Sequence, residues 1–284
     1  MIGFERLRRS AAASGIILVS LCGSVQGAED ASPWIGDSRS AVRLIAGSVA
    51  EETSAPLQVG IEIRLEPGWH TYWRYPGDAG VPPRFDFSGS RNLKAATVLW
   101  PAPHRIAEQG LSVVGYTGDV ILPVLLVPQD RAQPIALHLE IAYAVCEKLC
   151  VPAEAMLELP LVNTRSSYAS ALAAAQSRVP KRRALGEGTK LVIQSVRKEA
   201  SSSRPRAVIN VLAPAGADVD LIAEGPSPDW GLPLPHGAGT TATGVRRFAF
   251  DLDGAPPGAS YAGAVITITA VAAEEAIEVR APLD

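Results

Sequence analysis

At 284 residues, 47% of them apolar, the chain is long enough to bury two cores of ordinary size. A net charge of −3 and a pI near 5.9 argue against nucleic acid or an anionic membrane surface as the main partner. Twenty-five Gly and 23 Pro, with few long helical patterns, point to an all-β chain rich in turns.

The first stretch reads as an export signal. Arg6, Arg8 and Arg9 form a positive region, Ala11 to Cys22 an apolar one, and Val25-Gln-Gly27 or Ala28 a small-residue cleavage site. Leu21 is too large for the position before a lipidated cysteine, so Cys22 is expected to leave with the signal over 1–28. No later run approaches 18 consecutive apolar residues, so the mature chain is expected to carry no transmembrane segment and to reside in a bacterial periplasm.

From Ser32 to Asn163 strand follows strand. Leu57, Val59, Ile61, Ile63 and Leu65 alternate with Gln58, Gly60, Glu62, Arg64 and Glu66, one face in and one out. Pro67-Gly68 ends that strand with a turn. Trp69 to Tyr75 is aromatic-rich, and Pro76 to Pro83 reads as a loop. The apolar run Val120 to Val127 reads as a central strand. Alternation from Ile135 to Val145 leads into Cys146, and Met156 to Leu161 gives a short strand beyond. If the pleat continues, Cys146 points away from the face carrying Tyr143 and Val145. Residues 164–188 read as a linker with an Ala-rich helix over Ser166–Val179. Alternation resumes at Leu191, Ala207, Val219, Arg247, Val265 and Ile277, about six strands within 189–284. The expected architecture is all-β: two immunoglobulin-like β-sandwich domains, 32–163 and 189–284, joined by a short helical linker.

Tyr143-Ala-Val-Cys-Glu-Lys-Leu-Cys-Val-Pro152 holds Cys146 and Cys150, the only pair left once Cys22 is removed. An exported pair this close suggests a disulfide. A bridge from i to i+4 closes a ring of about five residues, which chain entropy values at roughly 2 kcal/mol, against about 4.7 kcal/mol for a 100-residue loop. So weak a staple favours a working redox pair, with a structural bridge and a soft-metal (copper) site as rivals. Two thiolates with His104 or His70 would suit such a metal. The sequence offers no second Cys-x-Cys or His-x-His cluster, so no metal ligand set and no cofactor is assigned.

The first half resembles the N-terminal periplasmic domain of the DsbD and ScsB thiol–disulfide interchange proteins. The resemblance rests on Pro67-Gly-Trp-His-Thr-Tyr-Trp-Arg74, Pro76-Gly-Asp-Ala-Gly80, Gly115-Tyr116 before Val120-Ile-Leu-Pro-Val124, and the cysteine stretch, and it covers roughly residues 40–162. It implies an immunoglobulin-like sandwich whose catalytic Cys146 and Cys150 relay electrons. The donor would be a membrane-embedded thiol reductase of DsbD/CcdA type, and the acceptors periplasmic thioredoxin-like proteins. It also implies a cap loop bearing an acidic residue and an aromatic, which maps near Glu108-Gln-Gly-Leu111. There Glu108 supplies the acid, while Leu111 and Tyr116 are the candidates for the missing aromatic. DsbD itself has five residues between its cysteines where this chain has three, a spacing closer to the ScsB-like branch. Lys148 and His104 are candidates to tune the thiols. Trp69, Tyr72 and Trp73 are candidates to dock a partner or to fill the core.

Overall fold

Alternating sequence becomes paired strand through most of the chain. The computed structural model describes residues 1, 30–47, 56–161, 166–199, 205–273 and 275–283, so the cleavage site and Cys22 lie outside the described residues. The first half runs β1 (Ile35–Gly36), β2 (Ser40–Ala46), β3 (Leu57–Leu65), β4 (His70–Gly77), β5 (Arg84–Asp86), β6 (Leu93–Val98), β7 (His104–Glu108), β8 (Leu111–Thr117), β9 (Val120–Pro128), β10 (Ile135–Cys146) and β11 (Cys150–Leu161). One sheet has the order β1-β2-β3-β9-β6; the other is β11-β10-β4-β8-β7, with β5 added to β10. Each strand sends every second side chain inward. Ile61 and Ile63 of β3, Leu122 and Val124 of β9, Leu139 and Ile141 of β10 and Trp73 of β4 meet in one core.

The apolar run Val120–Val127 lies between β3 and β6, a central position as expected. One of its outer neighbours is the helix α1 (Ala169–Ser177), which buries Leu172 and Ala175. Gly60 makes room for it: a Cβ there would lie 2.7 Å from Leu172 and 2.8 Å from Ile121. Gln58 donates to the side chain of Gln176, and the Ala102 N–H donates to the Arg178 carbonyl. The Ala-rich segment thus forms the expected helix, docked on the first sandwich.

Two expectations need extending. β4 runs on through Pro76 to Gly77, so the loop after it starts two residues late. The strand expected over Met156–Leu161 is twelve residues long and begins at Cys150, because β10 and β11 form a hairpin in unbroken register from Ile135↔Leu161 to Cys146↔Cys150. Pro152 is tolerated because β11 is the edge of its sheet, where a missing N–H costs no ladder bond.

The second half contains β12 (Lys181–Arg183), β13 (Val192–Glu199), β14 (Arg206–Leu212), β15 (Val219–Glu224), β16 (His236–Thr240), β17 (Arg246–Asp251), β18 (Val265–Ala272) and β19 (Ala276–Pro282). The sheets β12-β19-β18-β15 and β13-β14-β17-β16 enclose a second core around Ile209, Leu221, Phe250, Ile268 and Trp230. Lys181–Arg183, read as linker, is a short strand lying parallel on β19. Neither β12 nor the Gly-containing β16 buries an apolar face, so neither leaves a period-two trace in the sequence.

Polar clamps join the halves. Arg74 Nε and Nη2 donate to Glu224 at 2.9 and 2.7 Å, and Nη2 also meets Glu278 at 2.6 Å. Arg105 binds Asp220 at 2.6 Å and the carbonyls of Leu221 and Pro235. The Tyr75 hydroxyl donates to the Leu232 carbonyl, while Ile222 and Leu234 pack into the first core.

Candidate functional site

The pleat of β10 decides where the cysteines go. Tyr143 and Val145 face the main core, with the Tyr143 hydroxyl 3.0 Å from Ser40 Oγ. Ala144 and Cys146 take the opposite face, as the alternation predicts, and form a small cluster with Tyr72 and Val113. Cys146 is fully buried, while its disulfide partner Cys150, across the hairpin with a Cα–Cα distance of 4.2 Å, is exposed. Glu147-Lys-Leu149 forms the turn between them, and Leu149 is 78% exposed.

Tyr72 is the nearest aromatic. Its hydroxyl lies 2.9 Å from Cys146 Sγ, 3.2 Å from Cys150 Sγ and 3.4 Å from Glu108 Oε2. Burial first, then the charge of Glu108 and the hydrogen bond to it, push the Tyr72 pKa up to about 12. The hydroxyl therefore keeps its proton and serves as a donor. Gly80 presses on the ring: with φ +112°, a Cβ there would sit 2.3 Å from Tyr72 Cε1, so only glycine lets the loop after β4 close over it. On the other side Gly115 lets β8 approach, since a Cβ would fall 2.1 Å from the Thr71 carbonyl oxygen.

Glu108 arrives on the β7–β8 hairpin, where it pairs with Leu111. Gln109 and Gly110 both have positive φ, 48° and 86°, the pattern of a tight type I′ turn. The Gln109 side-chain amide donates to the Lys148 carbonyl at 3.1 Å, tying the hairpin tip to the cysteine turn. Glu108 Oε1 lies 3.8 Å from Cys150 Sγ, and Oε2 lies 3.4 Å from His70 Nε2. That last contact is within ion-pair reach but off the line of a hydrogen bond, and His70 Nε2 is buried with no hydrogen-bond partner. The His70 ring stands edge-on to Tyr72, centroids 5.4 Å apart.

Glu108 stands beside the pair, and Leu111, 47% exposed, shares its hairpin. Tyr116 does not reach the pair. On β8, Val113 points toward the cysteines and Val114 and Tyr116 toward the main core, where the Tyr116 hydroxyl donates to the Pro101 carbonyl. Of the two roles left open for Trp69, Tyr72 and Trp73, docking a partner or filling the core, the packing favours the inward one. Tyr72 is 1% exposed beneath the sulfurs, Trp73 is fully buried in the core, and Trp69 is half-buried against it. His104 shares the parity of Glu108 but sits four residues back on β7, about 13 Å at strand rise. Its Nε2 lies 3.0 Å from Thr117 Oγ1. Burial and the Arg178 charge hold the His104 pKa down. Lys148 is exposed, and it is its carbonyl that Gln109 engages. In sequence His70 stands out only as a metal ligand, and Tyr72 only as an aromatic for docking or for the core. The signal that links them is their own two-residue spacing, which places both on one face of β4.

The raised tyrosine pKa values set an alkaline limit. Tyr75 is likewise pushed up to about 12, by burial and then by Glu224 and Asp78. The unfolded phenols ionise near 10. Folding thus favours the protonated form; this stability is complete below about pH 10 and is lost as pH rises toward 12. Denaturant midpoints between pH 9 and 12 should fall, and Tyr72→Phe should make that fall shallower. An unchanged pH slope in Tyr72→Phe would contradict the assignment.

Residues 41–161 match the family model described as "Thiol:disulfide interchange protein DsbD, N-terminal". No curated protein matches the chain. Among solved structures, the N-terminal periplasmic domain of ScsB from Proteus mirabilis is similar with a TM-score of 0.69 at 18% identity, covering 89% of this chain and 98% of that one. At that identity the likeness concerns the fold. At 89% coverage the likeness extends past residue 161 into the second half.

Proposed function

Residues 41–161, the first sandwich, match the model of the DsbD N-terminal family of thiol:disulfide interchange proteins, and on that match we propose that this chain relays electron pairs in the periplasm through Cys146 and Cys150. The donor is a membrane-embedded thiol reductase of DsbD/CcdA type, and the acceptors are thioredoxin-like proteins. The exchanging domain is 32–163, and residues 1–28 are the export signal. No helix among the described residues is long and apolar enough to cross a membrane.

One observation carries the reading: a buried and an exposed sulfur sit together under one hydroxyl donor. Exchange requires the incoming thiolate to line up with the S–S bond. Only the Cys150 side is open to solvent. The donor's thiolate bonds to Cys150 Sγ, and Cys146 leaves as a thiolate that receives the Tyr72 hydrogen bond. The donor's second thiolate then attacks its own sulfur in the mixed disulfide and frees Cys150. Two electrons have moved, and the pair is reduced. Toward an acceptor the steps reverse: Cys150 attacks the acceptor disulfide, with Glu108 placed to take its proton, and Cys146 then closes on Cys150. A hydrogen bond to the ionised form of a thiol favours that form, which is what Tyr72 contributes.

Replacing both cysteines by serine should abolish electron transfer to an oxidised thioredoxin-like protein, read by thiol alkylation and mass. It should cost roughly 2 kcal/mol or less in stability, because the bridge closes a ring of about five residues. The same masses should show an exported chain starting near Ala28 with no free thiol before reduction. Global unfolding of the double variant at moderate temperature would favour a structural bridge instead.

A further inference from the structure

His70, Cys146 and Cys150 occupy a single row across the sheet. The register pairs His70 of β4 with Cys146 of β10, and Cys146 with Cys150 of β11. Cross-strand partners project to the same face, and Glu108 closes that face from the β7–β8 hairpin. One ligand atom from each of His70, Glu108 and Cys146 lies within 4.8 Å of the others. His70 is only 4% exposed, and its Nε2 finds no hydrogen-bond partner. A buried ring nitrogen left this way calls for a reason. In the disulfide the two sulfurs are poor ligands; reduction turns them into two thiols, able to bind as thiolates, beside that nitrogen and a carboxylate.

We propose that the reduced pair, together with His70 and Glu108, forms a redox-gated binding site for a thiophilic d10 cation, zinc(II) or copper(I). Two sulfurs, an imidazole nitrogen and a carboxylate oxygen complete the four-coordinate set that zinc prefers. The two thiolates and the imidazole alone suit copper(I). A cavity of about 420 Å³, lined by Gly68, His70, Glu108 and Glu147 among others, gives an ion a way in. On binding, both thiols lose their protons to solvent and the cation takes their place; no electron moves. Re-forming the disulfide, with its two electrons passing to an acceptor disulfide, expels the cation; while bound, the ion ties up the Cys150 sulfur and holds the pair reduced. The inference shares with the relay only the premise that the pair can be reduced.

The test uses the mature chain reduced by a phosphine without oxygen, titrated with zinc(II) or copper(I) against a chromogenic chelator for each ion. The reduced protein should take one equivalent of at least one ion, and the oxidised protein should bind it at least about 100-fold more weakly. His70→Ala should weaken binding at least about tenfold. Glu108→Gln separates the ions, weakening zinc and sparing copper(I). Thermal unfolding of each variant confirms that the fold is intact, and Glu108→Gln serves for zinc should His70→Ala fail to fold. Equal binding by oxidised protein overturns the proposal. So does binding by reduced protein no tighter than that of the variant with both cysteines replaced by serine. Exchange assayed with chelator present reads the relay separately: exchange retained without metal binding overturns this inference alone.

Discussion

Cys146→Ser should trap a covalent adduct with a thioredoxin-like partner that lacks its own resolving cysteine, and Cys150→Ser should trap at least about tenfold less. The asymmetry comes from burial. Cys146 ends β10 with its sulfur shut between Tyr72, Val113 and Ala144, and its side chain is fully buried. Cys150 opens β11 on the exposed side of a three-residue turn. A variant keeping only Cys150 presents its thiol to the partner and has no second thiol to release the adduct. A variant keeping only Cys146 offers a sulfur that a bulky partner cannot approach in line. Both are read on a non-reducing gel after incubation with that partner, its remaining cysteine activated as a mixed disulfide with a small aromatic thiol that leaves as the adduct forms. An adduct forming mainly through Cys146 would reverse the assignment, and none through either would defeat the relay.

Arg74→Ala should cost about 3 kcal/mol of stability, the low end for breaking a buried ion pair, since a quarter of the Arg74 side chain remains exposed. Arg74 makes two N–H contacts to Glu224 and one to Glu278, whose side chains are 19% and 10% exposed. Its removal leaves two largely buried carboxylates without their shared cation. Arg182, 3.3 Å from Glu278, offsets part of the loss there, so Glu224 bears most of it. Lysine should restore only a fraction, because the two parallel N–H bonds to Glu224 need a planar guanidinium. Denaturant unfolding measures both variants. A loss under about 1 kcal/mol in Arg74→Ala would place the clamp among ordinary surface pairs.

Where one residue's parity decided the outcome, the sequence was legible. The alternation from Ile135 to Val145 put Cys146 on the face opposite Tyr143, and there it lies. Val120–Val127, apolar throughout, became a central strand. Register between distant strands was not legible. Whether Tyr72 or Tyr116 meets the cysteines depends on which residue of β4 or β8 stands beside β10, and no local pattern encodes a pairing across more than seventy residues. Tyr72 and Trp73 are neighbours in sequence on opposite faces, so one touches sulfur and the other fills the core. The positions of His70 and Glu108 follow from the same register. The strands β12 and β16 escaped notice because an exposed strand carries no apolar rhythm.

The unbroken pairing of β10 with β11 up to the cysteines bears on what a docking protein meets. Cutting the S–S bond frees a ring of five residues already held at its base by cross-strand hydrogen bonds, so the slack released is that of a three-residue turn. Little conformational entropy is gained or lost per cycle. Oxidised and reduced forms therefore offer nearly the same contour to donor and acceptor alike. Departure after each transfer must then be driven by the chemistry of sulfur and by competition between visitors, without any change of shape to eject them.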